Sequence, residues 1–231
     1  MPVWVAFVVA VAVLVAASVL NNRLARSAYL VTALVTAALL LALYAFAGGD
    51  WTAAGLGRGG LGGGVRWGLA LAALIAVGYL VGVLVPATRR LFVDRRVEHV
   101  PVGEIAFQAL VRIPLGTVLL EEVAFRGVLY GLLTGTVGPV WATAVSSVLF
   151  GLWHVPGAAS LSRRNPAVGG AFRARPGLVV PATVVAMTAA GVVLCELQRR
   201  SGSLAAPAAV HWAVNALGLV AAFAVTRRRT G

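Results

Sequence analysis

Six polar residues interrupt otherwise apolar stretches of this chain: Glu121, Glu122, Arg126, His154, His211 and Asn215. A charge near the centre of a bilayer costs about 2.5–3.5 kcal/mol on insertion scales, so an ionisable residue there points to function. Glu121, Glu122 and Arg126 together would cost about 8–10 kcal/mol if nothing offset them. Glu122 and Arg126 are four apart with the glutamate first, the favourable order for a helical ion pair. That pair reads either as self-neutralising structure or as the positioning element of a site. Glu121 lies about 100° further round the helix, and its i+4 neighbour is Phe125. A carboxylate in such surroundings suits a general base or acid, the alternative being a protonated carboxyl bonded to a neighbouring helix. His154 closes Phe150-Gly-Leu-Trp-His154, and Pro156 then weakens the helix. Alone it reads as a core or interface histidine. His211 and Asn215, again four apart, project from one helix face. If these groups gather, each lowers the others' desolvation cost, and water held between a Glu and a His is what a hydrolase needs. Two histidines and a glutamate (Glu121, His154 and His211) would equally match a catalytic zinc ligand set.

Other chemistries lack their residues. No His-Glu-x-x-His, serine elbow, Walker loop or dinucleotide fingerprint occurs. Cys195 is the single cysteine, which excludes an intramolecular disulfide or a cysteine metal cage. His99 stands among arginines and reads as solvated. The elements that must position the six residues follow from composition. The 231 residues are 60% hydrophobic and only 11% charged. Soluble domains carry about 25% charged residues, so an ordinary soluble domain is excluded, and so is disorder. The balance of 19 basic to 7 acidic residues gives +12, and every basic residue is arginine. These arginines lie between apolar runs rather than in a stripe with aromatics, which fits membrane orientation and not nucleic acid. Arginine without lysine, among many Ala, Val and Gly, fits a GC-rich bacterial genome.

A span needs about 20 apolar residues. The sequence predicts an all-α membrane bundle of about seven spans, forming a single integral-membrane domain over 1–231. Three spans (2–20, 27–47 and 67–85) precede a core over about 100–225. The first has its positive charges after the apolar stretch, unlike a signal peptide, and reads as a retained span. A glycine-rich connector, 55–64, leads to the third. Glu104, Gln108 and Arg112 share one helix face, as an interfacial helix or the wet start of a fourth span over 115–133. A tight turn over 134–138 leads to a fifth span, 139–157. A basic segment, 160–175, precedes the sixth, 178–197, and the seventh is 204–225. With the N-terminus outside and the C-terminus cytoplasmic, the inner connections hold Arg23, Arg26, Arg89, Arg90, Arg95, Arg96, Arg163, Arg164, Arg173, Arg175 and Arg227–Arg229. The outer ones hold Arg58, Arg66, Arg199 and Arg200.

Glu121-Glu122-Val-Ala-Phe-Arg126, Phe150-Gly-Leu-Trp-His154 and His211-Trp-Ala-Val-Asn215 resemble the three motifs of the CAAX prenyl protease and bacteriocin-processing family of intramembrane endopeptidases. They stand in the family's order on separate spans. Arg112-Ile-Pro-Leu-Gly and Gly202-Ser-Leu resemble it too, so the likeness covers about 100–220. The resemblance implies hydrolysis of a peptide bond in a membrane-associated or prenylated peptide, in a multi-pass protein of the bacterial plasma membrane. It implies Glu121 as the base activating water with His154 assisting, and Glu122 and Arg126 holding the base. His211 and Asn215 would stabilise the oxyanion, or His211 would bind a divalent metal such as zinc. The implied partners are a peptide or lipidated protein and the bilayer. The alternatives are a membrane binding or bacteriocin-immunity protein on the same fold, or a proton-coupled transporter using Glu121 and His211. Absence of internal repeats weighs against the transporter. At about 1.5 Å per residue, these boundaries put Glu121 and His154 roughly 5–10 Å from the inner face and His211 roughly 20 Å from it. If all three meet, a span is bent, the fourth helix starts earlier, or the count differs.

Overall fold

The computed structural model describes residues 1–24 and 26–230, with the side chains of Arg23, Leu24, Arg26, Arg229 and Thr230 outside the described part, as are Ala25 and Gly231. Arg23, Arg26 and Arg229 therefore enter the orientation argument through sequence alone. Among the described residues the chain is helical, without strands. Six helices are long and apolar enough to cross a membrane: Val3–Asn22, Tyr29–Phe46, Arg58–Leu84, Val102–Ala158, Pro176–Ser201 and Ala205–Arg228. We label the helices α1 (Val3–Val19), α2 (Tyr29–Phe46), α3 (Leu61–Leu84), α6 (Val179–Ser201) and α7 (Ala205–Arg228). The count is six, where about seven spans were expected, because one 57-residue run lies between α3 and α6. At Gly138 that run has φ 79°, ψ 166°, outside helical values, and Pro139 follows. α4 (102–137) and α5 (139–158) lie on either side and fold back on each other. The Ser146 hydroxyl donates to the Phe125 carbonyl at 2.6 Å, and Phe125 meets Phe150 edge-on at 5.2 Å.

Burial follows helix face rather than polarity, because the outer faces meet lipid. α1 turns Ala6, Ala10, Leu14 and Ala17 inward and leaves Val5, Val8 and Val15 exposed. Small residues let helix axes approach, which is how helices associate without a hydrophobic drive between them. The α5–α6 contact is a tight case. A Cβ on Gly151 would stand 2.7 Å from the Val184 carbonyl and meet the Thr188 side chain, and one on Gly191 would stand 2.9 Å from the Ser147 Cβ. Gly151→Ala is therefore expected to cost about 1–3 kcal/mol. Because His154 rides on α5, it should also cut activity. Gly135→Ala, facing open space, is the control. Equal thermal stability of the two variants would contradict this packing.

Two boundaries matter for the site. α4 begins at Val102, so Glu104, Gln108 and Arg112 form the start of the fourth span rather than a separate interfacial helix, with Glu104 and Gln108 paired at 2.9 Å. The glycine-rich connector is partly helical: α3 starts at Leu61, and Gly64 and Gly68 give Ser203 and Ala209 room. The α6–α7 connection is sunk into the bundle. The Leu204 N–H donates to the Gly55 carbonyl at 2.8 Å, the Gln198 amide donates to the Ala53 carbonyl at 2.9 Å, and Gly127 of α4 leaves space for Leu204. α7 thus begins level with Gly127, well below the hairpin tip at Gly138.

Candidate active site

A start at that depth brings His211 down to the two glutamates. The depth conflict is resolved by the earlier start of α4 together with this sunken connection. His211 Nδ1 lies 2.7 Å from Glu122 Oε1, and His211 Nε2 lies 3.7 Å from Glu121 Oε2. Glu122 Oε1 also accepts from Arg126 Nη1 at 3.3 Å. All four side chains are buried, Arg126 completely. Charge and aromatic packing offset each other here. The Arg126 guanidinium carbon stands 3.9 Å from the centre of the Phe150 ring, a cation–π contact in a dry setting. His211 meets the same ring edge-on at 6.1 Å, and His154 does so at 4.7 Å. Glu121 Oε1 accepts from the Trp153 indole N–H at 3.0 Å, while its Oε2 has no hydrogen-bond partner among the described residues.

Local backbone geometry explains how α7 seats. α4 and α7 carry π-helical stretches at Gln108–Val118, Glu122–Leu129 and Ala213–Leu217, a form that clusters at functional sites. Pro114 lies within the first of these and has no N–H to give. In i→i+5 bonding the carbonyl it leaves without a partner is that of Ala109. The Trp212 indole N–H takes that carbonyl at 2.9 Å. Trp212 precedes Ala213 and follows His211, so the proline in α4 fixes the histidine of α7.

The structure brings Glu121, Glu122, Arg126 and His211 together. His154 and Asn215 are half-buried and both line an adjoining cavity of about 770 Å³ with Thr117 and Arg112. His154 Nδ1 lies 2.8 Å from the Phe150 carbonyl. Since a carbonyl only accepts, Nδ1 donates in this bond, which leaves Nε2 for a partner in the cavity. Sequence reasoning treated Glu122 as the partner of Arg126 alone, whereas here it also orients His211. It missed Trp153 as a donor to Glu121 and Trp212 as the clamp on α4. The signal for both was a tryptophan beside each histidine. Among the described residues no three His, Cys, Asp or Glu side chains are placed to hold a metal ion. Of the three candidate zinc ligands, Glu121 and His211 lie 3.7 Å apart, while His154 lines the adjoining cavity.

Trp153→Phe keeps the ring and removes the N–H. We expect the activity of the site to fall about tenfold with folded yield unchanged, as for one neutral-to-charged hydrogen bond of about 1.5 kcal/mol. Full activity would show that Glu121 does not need this donor.

Residues 104–217, just under half of the chain, match the family described as Type II CAAX prenyl endopeptidase Rce1-like. The matched segment runs from Glu104 past Asn215 and contains all six residues above. No curated protein and no solved structure matches the chain.

Proposed function

Since the chain carries a Type II CAAX prenyl endopeptidase Rce1-like domain and is a multi-pass, all-α membrane protein, we propose that it hydrolyses a peptide bond of a membrane-associated or prenylated peptide with water activated by Glu121. The observation that supports this is the meeting of Glu121 and His211, from helices 90 positions apart, beside a cavity lined by His154 and Asn215. Glu121 Oε2 takes a proton from water as the oxygen attacks the scissile carbonyl. The protonated carboxyl then gives that proton to the leaving nitrogen as the C–N bond breaks. His154 Nε2 helps hold the attacking water. The Asn215 amide donates to the developing oxyanion, and so does His211 Nε2 whenever it carries a proton. Glu122 fixes the His211 ring through Nδ1, and Arg126 balances Glu122. With the N-terminus outside, the cluster is reached from the cytoplasmic side of a bacterial plasma membrane.

The test compares peptide termini in membranes from cells expressing wild type and Glu121→Ala at matched levels. New termini that depend on Glu121 are expected, and they would name substrates at the same time. Identical termini, with both proteins folded and abundant, would favour the binding or immunity reading.

A further inference from the structure

Arg112 is a charge lining the cavity of His154 and Asn215 that the cleavage chemistry leaves unused. Its guanidinium carbon lies 5.0 Å from the centre of the Tyr29 ring, and Tyr29 is itself fixed by a 2.9 Å hydrogen bond between its hydroxyl and Thr117. Stacking occupies the face of a guanidinium and leaves its edge of N–H donors available. Among the described residues no carboxylate pairs with Arg112. The carboxylates that share its surroundings are already engaged: Asp94 is held by Arg96 at 2.6 Å, and Glu104 accepts from Gln108 at 2.9 Å. Arg112 and Tyr29 line two cavities at once. One holds His154 and Asn215; the other, of about 730 Å³, is lined also by Arg163, Arg164, Asn21 and Asn22. An anion entering from the arginine-lined cavity meets Arg112 on its way to the reacting groups.

Building on the proposed proteolysis, we infer that Arg112 receives the free C-terminal carboxylate of the substrate and sets how far from that end the chain is cut. Arg112 and Glu121 are nine residues apart on α4, about 13 Å at helical rise. An extended peptide covers about 3.3–3.6 Å per residue, so a carboxylate on Arg112 puts a bond three to four residues upstream beside Glu121. A guanidinium matches a carboxylate edge to edge, which gives the anchor direction as well as charge.

The test uses full-length Glu121→Gln protein in nanodiscs of zwitterionic lipid and a farnesylated nonapeptide ending in Cys-Val-Ile-Met, as the free acid and as the C-terminal amide. The acid is expected to bind about 10- to 100-fold more tightly than the amide, in the range of a charge-assisted hydrogen bond. Adding Arg112→Gln should bring the acid to the level of the amide and leave the amide unchanged, and Arg112→Lys should restore part of the difference. Equal binding of acid and amide, binding of neither, or equal weakening of both by Arg112→Gln would overturn the assignment. So would suppression of acid binding by added phosphatidylglycerol that Arg112→Gln abolishes, since Arg112 would then serve a lipid phosphate. Proteolysis itself stands or falls separately, on whether Glu121→Gln removes cleavage by the otherwise wild-type chain.

Discussion

Glu121→Gln is expected to lower cleavage by about 10²–10⁴-fold, the usual contribution of a positioned general base, while leaving the amount of folded protein unchanged. The amide has the carboxylate's shape, and its oxygen still accepts from the Trp153 indole. What it loses is the ability to take a proton at the position of Oε2, which has no other partner. Folding should tolerate the change because none of the described arginine ion pairs involves Glu121; its ionisable neighbour is His211 at 3.7 Å. Rates on a lipidated peptide, measured on monodisperse protein in nanodiscs, would decide the matter. Activity within tenfold of wild type would remove Glu121 from the chemistry.

Arg126→Ala should act through the opposite channel. Arg126 is fully buried and Glu122 nearly so, and they meet at 3.3 Å. Deleting the guanidinium leaves a carboxylate in the interior with the imidazole of His211 beside it, and breaking such a pair costs about 3–5 kcal/mol. That is a large part of the typical stability of about 5–15 kcal/mol. Most of the folded protein should be lost. The double variant Glu122→Gln/Arg126→Met removes both charges at similar volume and should recover folded yield, because replacing a buried pair with neutral groups is often tolerated. It should not recover cleavage, since His211 loses the carboxylate at its Nδ1. Wild-type thermal stability in Arg126→Ala alone would contradict the assignment of this pair as a buried brace.

Hydropathy made the membrane bundle legible because lipid imposes a length on every span. Polar interruptions made Glu121, Glu122, Arg126, His154, His211 and Asn215 visible against that background. Depth was not legible. A window of apolar residues marks where a span can lie, not where its connection sits, and nothing local to 201–204 announces that Leu204 is pinned to Gly55. Inward faces were equally hidden, since α1 is apolar nearly all round: Ala6, Ala10, Leu14 and Ala17 are buried while Ala12, Ala16 and Val15 are exposed. Pro114 entered the sequence reading only within the Arg112-Ile-Pro-Leu-Gly likeness. The use of the freed Ala109 carbonyl by Trp212 requires knowing that α7 passes beside α4.

That last bond also puts the parts of the molecule in order of time. Ala109 and Trp212 are separated by 103 positions, and Glu122 and His211 by 89. At about 5–20 residues per second, the first member of each pair leaves the ribosome roughly 5–20 s before the second. During that interval Glu122 and Arg126 already stand one turn apart on the same helix and can neutralise each other without help from the rest of the chain. The half-built protein therefore keeps its charges tolerable in the bilayer while the cluster is incomplete. Arrival of α7 completes the cluster and, through one indole, fastens it.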